Sequence, residues 1–483
     1  MTTSEIPAGW AKIKLGEALP LKNGKGMPER ERNTAGQIPV YGSSGIVGHH
    51  DSALLNLPSI VVGRKGNVGS VHLVRTASWP IDTVYFIQER PELNLAFCSY
   101  LLRSLSLARL DKSTAIPGLS RSDYDPIEVS FPPLAEQARI VEAIETQFSR
   151  LDAATAALER ARANLKRYRA AVLNAACSGR LVPTEAELAQ REGRSFESGT
   201  KLLERVDISR QTKTHGSKGR RKSLQTTVDQ SSTKGNPEVL MIPNGWTRTT
   251  LGQITWSVKD GPHYSPKYSD EGIAFISGGN VRPEGVDFAR AKRISADLYN
   301  ELSKRCKPEL GDILYTKGGT TGIARVNTYD IDFNVWVHVA VLKLCGDIAP
   351  FWVQHTLNSN FCTRQAKQLT HGVGNQDLGL TRMVNIVLPL PPFAEQHRIV
   401  AEVERRLSVV ERMEAEISAG LKRAERLRQS ILQKAFAGQL VHQDPNDEPA
   451  SVLLDRIRAR RANQAPAKVR QSAKGLVTKP LFD

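Results

Sequence analysis

Two stretches of the chain carry apolar residues at a seven-residue period. Ile144, Leu151, Leu158, Leu165 and Val172 form one series; Val403, Val410, Ile417, Ala424 and Ile431 form the other. The adjoining heptad position holds Val141, Phe148 and Ala176 in the first stretch, and Val400, Leu407, Leu421 and Ala435 in the second. A narrow stripe sustained over about five heptads predicts two long helices that pair through a coiled-coil seam. Pro132–Pro133 and Pro391–Pro392 mark the entries, because proline fits a helix only at its start. Gly179 and Gly438 mark the exits, as residues suited to the left-handed turn that closes a helix. About 44 residues at ~1.5 Å each give rods of ~65 Å. Thr155, Arg162, Arg169, Glu414 and Arg428 interrupt the seam. Long side chains there either turn their heads out to water or fix the register. Antiparallel pairing would bring Arg162 to Glu414.

The chain before each helix follows a different period. Short apolar or alternating runs recur, among them "SIVVG", "TVYFI", "IEVSF", "IAFISG", "GDILYT", "VHVAVLKL" and "IVLPL". Glycine-rich turns separate them, and a short helix is expected around Leu95–Arg109. This predicts an α+β, β-rich domain, used twice.

The duplication is written in the motifs. "PPLAEQARIVEAIE" from Pro132 returns as "PPFAEQHRIVAEVE" from Pro391, and residues 131–183 align without a gap to 390–442. "IPAGWAKIKLG" from Ile6 matches "IPNGWTRTTLG" from Ile242, and "LLERVDISRQ" from Leu202 matches "LLDRIRARRA" from Leu453. Between these fixed points the two variable units agree poorly. One exception is "SIVVGRKGNVGSV" from Ser59 against "DILYTKGGTTGIA" from Asp312, where an apolar strand enters a glycine-rich turn with a basic residue. Different units on matching supports suggest two recognition tasks on one mechanical plan.

Composition narrows the partner. The chain has 483 residues and a formal net charge of +16. Such a balance favours a polyanion, either nucleic acid or an anionic membrane surface. No apolar run reaches the ~18 residues needed to span a bilayer, and "MTTSEIPAGW" lacks the features of a signal peptide. A cytoplasmic protein with a nucleic-acid partner is the expectation. Cys98, Cys177, Cys306, Cys345 and Cys362 are scattered without a CxxC pair, so reduced thiols are expected rather than disulfides or a zinc ribbon.

Signatures of catalysis are missing. "GSKGRRKS" has Arg221 where a phosphate-binding loop needs glycine. No dinucleotide fingerprint follows a strand. An adenine amino-group methyltransferase would need Asn or Asp before Pro-Pro and an aromatic after, and here Phe131 and Leu390 precede the prolines. "PELGDILYTK" has Tyr315 where a metal-dependent nuclease core needs an acid. His49, His50 and Asp51 are adjacent, so their side chains diverge, and no third ligand stands at helical spacing. No cofactor or metal is expected on this chain.

Double-stranded DNA is read by side chains on close-approaching backbone: phosphate contacts give affinity and base-edge contacts give specificity. The candidates in the first unit are Ser43 and Ser44 in "YGSSG", His49, and Arg64, Lys65 and Asn67 in "GRKGN". In the second they are Tyr264 and Lys267 in "DGPHYSPK", Asn280 in "SGGN", Lys317 and Thr320 in "TKGGTT", and His371, Asn375 and Gln376 in "HGVGNQ". Such turns also serve purely geometric ends in β-rich domains.

The repeated "PP-[LF]-AEQ-x-RIV" opening, the helices closing in "SGRL" and "AGQL", and the "IPxGW…LG" starts resemble the specificity subunit of a type I restriction-modification system. The resemblance implies two target-recognition domains, each reading half of a split site, held apart by two antiparallel helices. It also implies two modification subunits that use S-adenosylmethionine and two restriction subunits that use ATP and Mg2+. The expected division is 1–131 first recognition domain, 132–180 first helix, 181–240 basic linker with a short helix near 200–206, 241–390 second recognition domain, 391–438 second helix, and 439–483 short helix and basic tail. Two rivals stand beside it: a self-contained DNA methyltransferase or nuclease with fused recognition domains, and a coiled-coil scaffold that does not bind DNA.

Overall fold

The computed structural model describes residues 6–33, 35–111, 118–215, 242–372 and 377–464. The chain forms two compact units, one of Met1–Leu158 with Ser418–Asp483 and one of Glu159–Ile417. Each long helix therefore contributes to both.

The helices run from Leu134 to Cys177 and from Phe393 to Phe436, 44 residues each. The prolines stand just outside them, as their missing N–H requires. Gly179 and Gly438 adopt φ of 65° and 70°. The amide after each glycine donates back to the helix, Arg180 N to Ala175 O at 3.0 Å and Gln439 N to Lys434 O at 2.8 Å. Both helices thus end in the same six-to-one turn.

In each unit a segment of one helix lies antiparallel on a segment of the other. In the first unit Asp152 pairs with Arg428, and further along the first helix Leu158 lies against Gly420, earlier in the second. In the second, Arg169 pairs with Glu414 at 3.1 Å, and past the first helix's end Glu185 pairs with Arg398, earlier in the second helix, at 2.6 Å. The expected meeting of Arg162 with Glu414 does not occur. Glu414 takes Arg169, one heptad further on, and Arg162 faces Glu159 on its own helix. A heptad pattern repeats itself on translation by seven, so the seam alone cannot select between these registers. Ile144, Phe148, Val172, Val403, Val410, Ile417 and Ile431 are buried, while Leu151, Leu158, Leu165, Leu407 and Leu421 are half-buried. Of the half-buried group, Leu151 packs against the first unit's core and Leu407 against the second's.

The first variable unit has a four-stranded sheet in the order Lys22–Asn23, Val84–Gln88, Ser59–Gly63, Val71–Val74, and a three-stranded one in the order Gly45–His50, Ile38–Gly42, Trp79–Pro80. The second repeats the plan. Its four-stranded sheet runs Thr255–Asp260, Val339–Leu344, Ile313–Thr316, Ala324–Val326, and its three-stranded sheet runs Lys292–Ile294, Ile273–Ile276, Phe333–Val335. Each smaller sheet contains one parallel pair, Val40 beside Trp79 and Phe275 beside Asn334. The short helix forms over Leu95–Ser104, followed by a 3-10 turn at Leu107–Leu110. Ala11–Lys14 pairs with Glu128–Phe131, and Thr247–Thr250 with Val387–Leu390, so each variable unit begins and ends at the start of a long helix.

The repeated motifs are the joints. Trp10 Nε1 donates to Glu136 Oε2 at 3.0 Å, and Trp246 Nε1 to Glu395 Oε1 at 2.9 Å. The neighbouring glutamines cap a short helix: Asn94 N donates to Gln137 Oε1 and Ala349 N to Gln396 Oε1. All four "EQ" side chains are buried, which explains why both copies keep the same letters. The "LG" and "LL…" motifs also meet, since Arg461 donates to Gly16 O at 3.0 Å and Arg210 to Gly252 O at 3.1 Å.

Those arginines lie on helices Ala450–Gln464 and Gly199–His215. The latter is longer than the short helix expected near 200–206. A further helix, Glu185–Glu192, precedes it behind a Thr184 capping box. Leu202 and Val206 are buried in the second unit's core, so the amino-terminal part of the expected linker is packed structure. Residues 216–240 of that linker lie outside the described residues. All five cysteines are buried, and none is joined to another in a disulfide. Among the described residues no helix is long and apolar enough to cross a membrane.

Candidate nucleic-acid interface

In each unit the strand that reads "SIVVG" or "DILYT" delivers a basic residue into a tight turn. Gly66 and Gly69 have φ of 79° and 73°, and Gly319 and Gly322 have 72° and 98°, so both turns need glycine at the same two places. The closing bond is the same, Gly69 N to Gly63 O and Gly322 N to Thr316 O, at 2.9 Å each. The first turn residue of each accepts a distant amide: Leu119 N to Arg64 O and Leu378 N to Lys317 O, both 2.8 Å.

In the first unit, the tip of the Ile38–Gly42/Gly45–His50 hairpin sits on this turn. Asn67 N donates to Ser43 Oγ at 3.3 Å, and Ser70 Oγ donates to Ser43 O at 2.5 Å. Ser44, Lys65 and Asn67 are exposed beside it. Two of the predicted turns are thereby brought together. His49 is not: it lies at the opposite end of its strand, where its carbonyl accepts Asn33 N at 2.8 Å. His50 packs edge-on against Trp79, and Asp51 accepts from Asn33 Nδ2.

In the second unit the start of "DGPHYSPK", the "SGGN" turn and the residues just after "HGVGNQ" meet at the turn that carries Lys317. Leu378, just after the "HGVGNQ" loop, bonds its carbonyl, and Gly318 bridges to Asp377. A Cβ on Gly278 of "SGGN" would stand 3.0 Å from Gly318 O. Asp260, which opens "DGPHYSPK", pairs with Lys317 Nζ at 3.4 Å. The side chains divide into two sets. Tyr264, Lys267, Thr320 and His371 are exposed. Asn280 is buried with its amide spent on Ser277 and Asp287, and Lys317 is 2% exposed, held by Asp377 at 2.9 Å. Asn280 closes the turn of its own segment, and Lys317 ties its turn to Asp377 and Asp260. Asn375 and Gln376 lie outside the described residues.

Tyr85, Arg121 and Asp260, which sequence reading passed over, complete the two sites. Arg64 and Arg121 both lie over the ring of Tyr85, at 5.5 and 5.4 Å from its centre. Asp260 gathers Lys317, Arg305 at 2.9 Å and His263 at 3.2 Å. Nothing in local pattern flags Tyr85 or Asp260, since each is placed by strand register. Among the described residues no group of His, Cys, Asp or Glu is arranged to hold a metal ion.

Beside the helices, the second unit also has a cleft lined by Arg325, Phe351, His355, Lys367 and Leu407. Burial, reinforced by Arg325, lowers the His355 pKa to about 4.

A duplicated α+β recognition domain, with each copy mounted on a long helix and carrying its polar turns on one loop cluster, defines a tandem recognition protein rather than a single-site enzyme. The chain belongs to the family of type I restriction modification DNA specificity domains, which it matches twice, over residues 7–166 and 243–423. The Type I restriction enzyme EcoBI specificity subunit of Escherichia coli is 28% identical over 364 residues, spanning 72% of this chain and 68% of its own length. The EcoDI specificity subunit of Escherichia coli is 23% identical over 484 residues, spanning 96% and 97%. A chain from a structure of the type I R-M system, described for its complex assembly and conformational transition, aligns at a TM-score of 0.55 with 17% identity. It covers 90% of this chain and 99% of the other, and supports the fold. Specificity subunits are the non-catalytic DNA-recognition components of their complexes. Membership therefore removes the self-contained methyltransferase or nuclease as a reading of this chain.

Proposed function

We propose that each unit reads one half of a split site in double-stranded DNA, and that the two long helices set the length of the unread gap between the halves. The reading is carried by one observation. In both units separate loops, distant in sequence, meet at a glycine-rich turn that follows the same strand, while the residues on those loops differ. Similar geometry with dissimilar chemistry is what two unlike half-sites require. Ser43, Ser44, Arg64, Lys65 and Asn67 are the contact candidates in the first unit; Tyr264, Lys267, Thr320 and His371 are those in the second, with Asn280 and Lys317 positioning them. His49, Asn375 and Gln376 remain candidates from sequence alone. The outward helix faces dock two modification subunits, which bring S-adenosylmethionine and methylate adenine. Two restriction subunits add ATP- and Mg2+-dependent chemistry.

The test is to express the chain with its modification subunits and sequence the methylated adenines. A bipartite motif is expected. Replacing residues 1–131 with the corresponding part of another family member should change one half only. Adding one helical turn to both rods should widen the gap by roughly 1–2 base pairs, given ~5.4 Å per turn against ~3.4 Å per base pair. A contiguous motif, or an unchanged gap, would reject the reading.

A further inference from the structure

One sheet position is built in opposite ways in the two units. Register sets Asn23 and Val62 opposite Tyr85 in the first, and Asp260 and Tyr315 opposite Ala340 in the second. The turns that follow place Arg64 where Lys317 stands. The bridges of Lys65 with Gly118 and Gly318 with Asp377 then make Gly118 the counterpart of Asp377. Counting on from there, Arg121 corresponds to Leu380.

In the second unit this position is internally neutralised. Lys317 lies between Asp377 and Asp260, and the Lys317 and Asp260 side chains are 3% and 2% exposed. In the first unit both carboxylates are missing, replaced by Asn23 and Gly118. Tyr85 is fixed by donating its hydroxyl to Leu119 O at 3.2 Å. Arg64 and Arg121 lie over its ring. With Lys65, Asn23 and Ser120 they line an open cleft of about 480 Å3. Among the described residues, Arg64, Lys65 and Arg121 have no ion-pair partner. Three cations converging on one opening repel each other until an anion enters. A guanine edge would occupy one guanidinium and bring no charge; a phosphodiester brings the charge and accepts from both arginines.

We propose that the Arg64–Tyr85–Arg121 cleft is a phosphodiester-binding site, present in the first unit and closed by Asp260 and Asp377 in the second. The site anchors the first unit to the DNA backbone independently of base sequence. It rests on the proposed DNA-reading function.

The experiment uses the assembled methyltransferase complex, its own target duplex as identified by methylation mapping, and a scrambled duplex. Affinity is measured across a range of salt. R64Q/R121Q should weaken binding to both duplexes about tenfold and flatten the dependence of log K on log salt by about one, the signature of one lost phosphate contact. The methylated motif should not change. R64K/R121K, which keeps the charge, should retain the salt slope. An unchanged slope in R64Q/R121Q overturns the proposal, as does a relaxed base preference in the first half-site. Failure of the wild-type complex to prefer its target over the scrambled duplex would instead reject the underlying reading.

Discussion

Trp246 donates its indole N–H to Glu395 at 2.9 Å across 149 residues of sequence, and the other Glu395 oxygen accepts Glu185 N at 2.9 Å. The carboxyl is fully buried, and burial holds its pKa above the usual range despite both bonds. Glu395→Ala would strand two buried donors, so a loss of about 2–4 kcal/mol is expected in denaturant unfolding. Glu395→Gln keeps one acceptor and sheds the buried charge, and should recover at least half of that loss. Equal losses for the two variants would mean that the carboxylate charge, not the hydrogen bonding, holds the joint.

The helix closures make a second prediction. Gly438 sits at φ 70°, and a Cβ there would stand 2.3 Å from Pro7 Cγ. Gly438→Ala should cost the left-handed penalty of about 1–2 kcal/mol plus a steric term. Pro7→Ala should remove only the steric part, leaving the double variant more stable than Gly438→Ala alone. If Pro7→Ala gives no relief, the contact is not what restricts this position.

The Arg169–Glu414 pair is partly exposed, at 31% and 38% of the two side chains. Solvent screening limits it to a coupling of about 0.2–1 kcal/mol in a double-mutant cycle. Exchange of the charges, R169E/E414R, should restore the coupling lost in either single reversal. Arg162→Leu should show no coupling to Glu414 at all.

His355 predicts acid sensitivity of the second unit. Its folded pKa of about 4 lies below the ordinary 6.5. Between these values the unfolded chain binds a proton that the folded chain refuses. Stability from this group is therefore full above pH 6.5 and falls as pH drops towards 4, by about 3 kcal/mol at most. His355→Gln should flatten the stability profile in that window; an unaltered profile would show that other groups set it.

Lys317 and Asp260 form a buried pair, so removal of one partner should be severe. Asp260→Ala leaves Lys317 with Asp377 alone and should cost about 3–5 kcal/mol. A loss below ~1 kcal/mol, read by thermal unfolding, would show that Asp377 suffices.

What the sequence disclosed follows from what each feature depends on. "AEQ", "IPxGW" and the closing glycines were readable because identical joints demand identical letters, and the structure assigns Trp10–Glu136 and Trp246–Glu395 the same bond. The glycine-rich turns were readable because their φ values demand glycine. Arg169 as the partner of Glu414 was not readable, since a heptad series is unchanged by a shift of seven. Nor was the cluster of Asn23, Arg64, Tyr85 and Arg121. Those four come from two strands, a turn and the start of the later short helix Arg121–Tyr124, so no local pattern links them.

The first unit's core includes Ile431, Ala435, Leu453, Leu454 and Ile457 beside Trp10, Phe97 and Phe131, whereas the second is drawn entirely from 159–417. On a ribosome this inverts the usual order. The earlier segment has to wait, its apolar face uncovered, until residues as far as Ile457 have emerged, while 159–417 is free to fold ahead of it. A chaperone requirement during synthesis should accordingly fall on the amino-terminal portion.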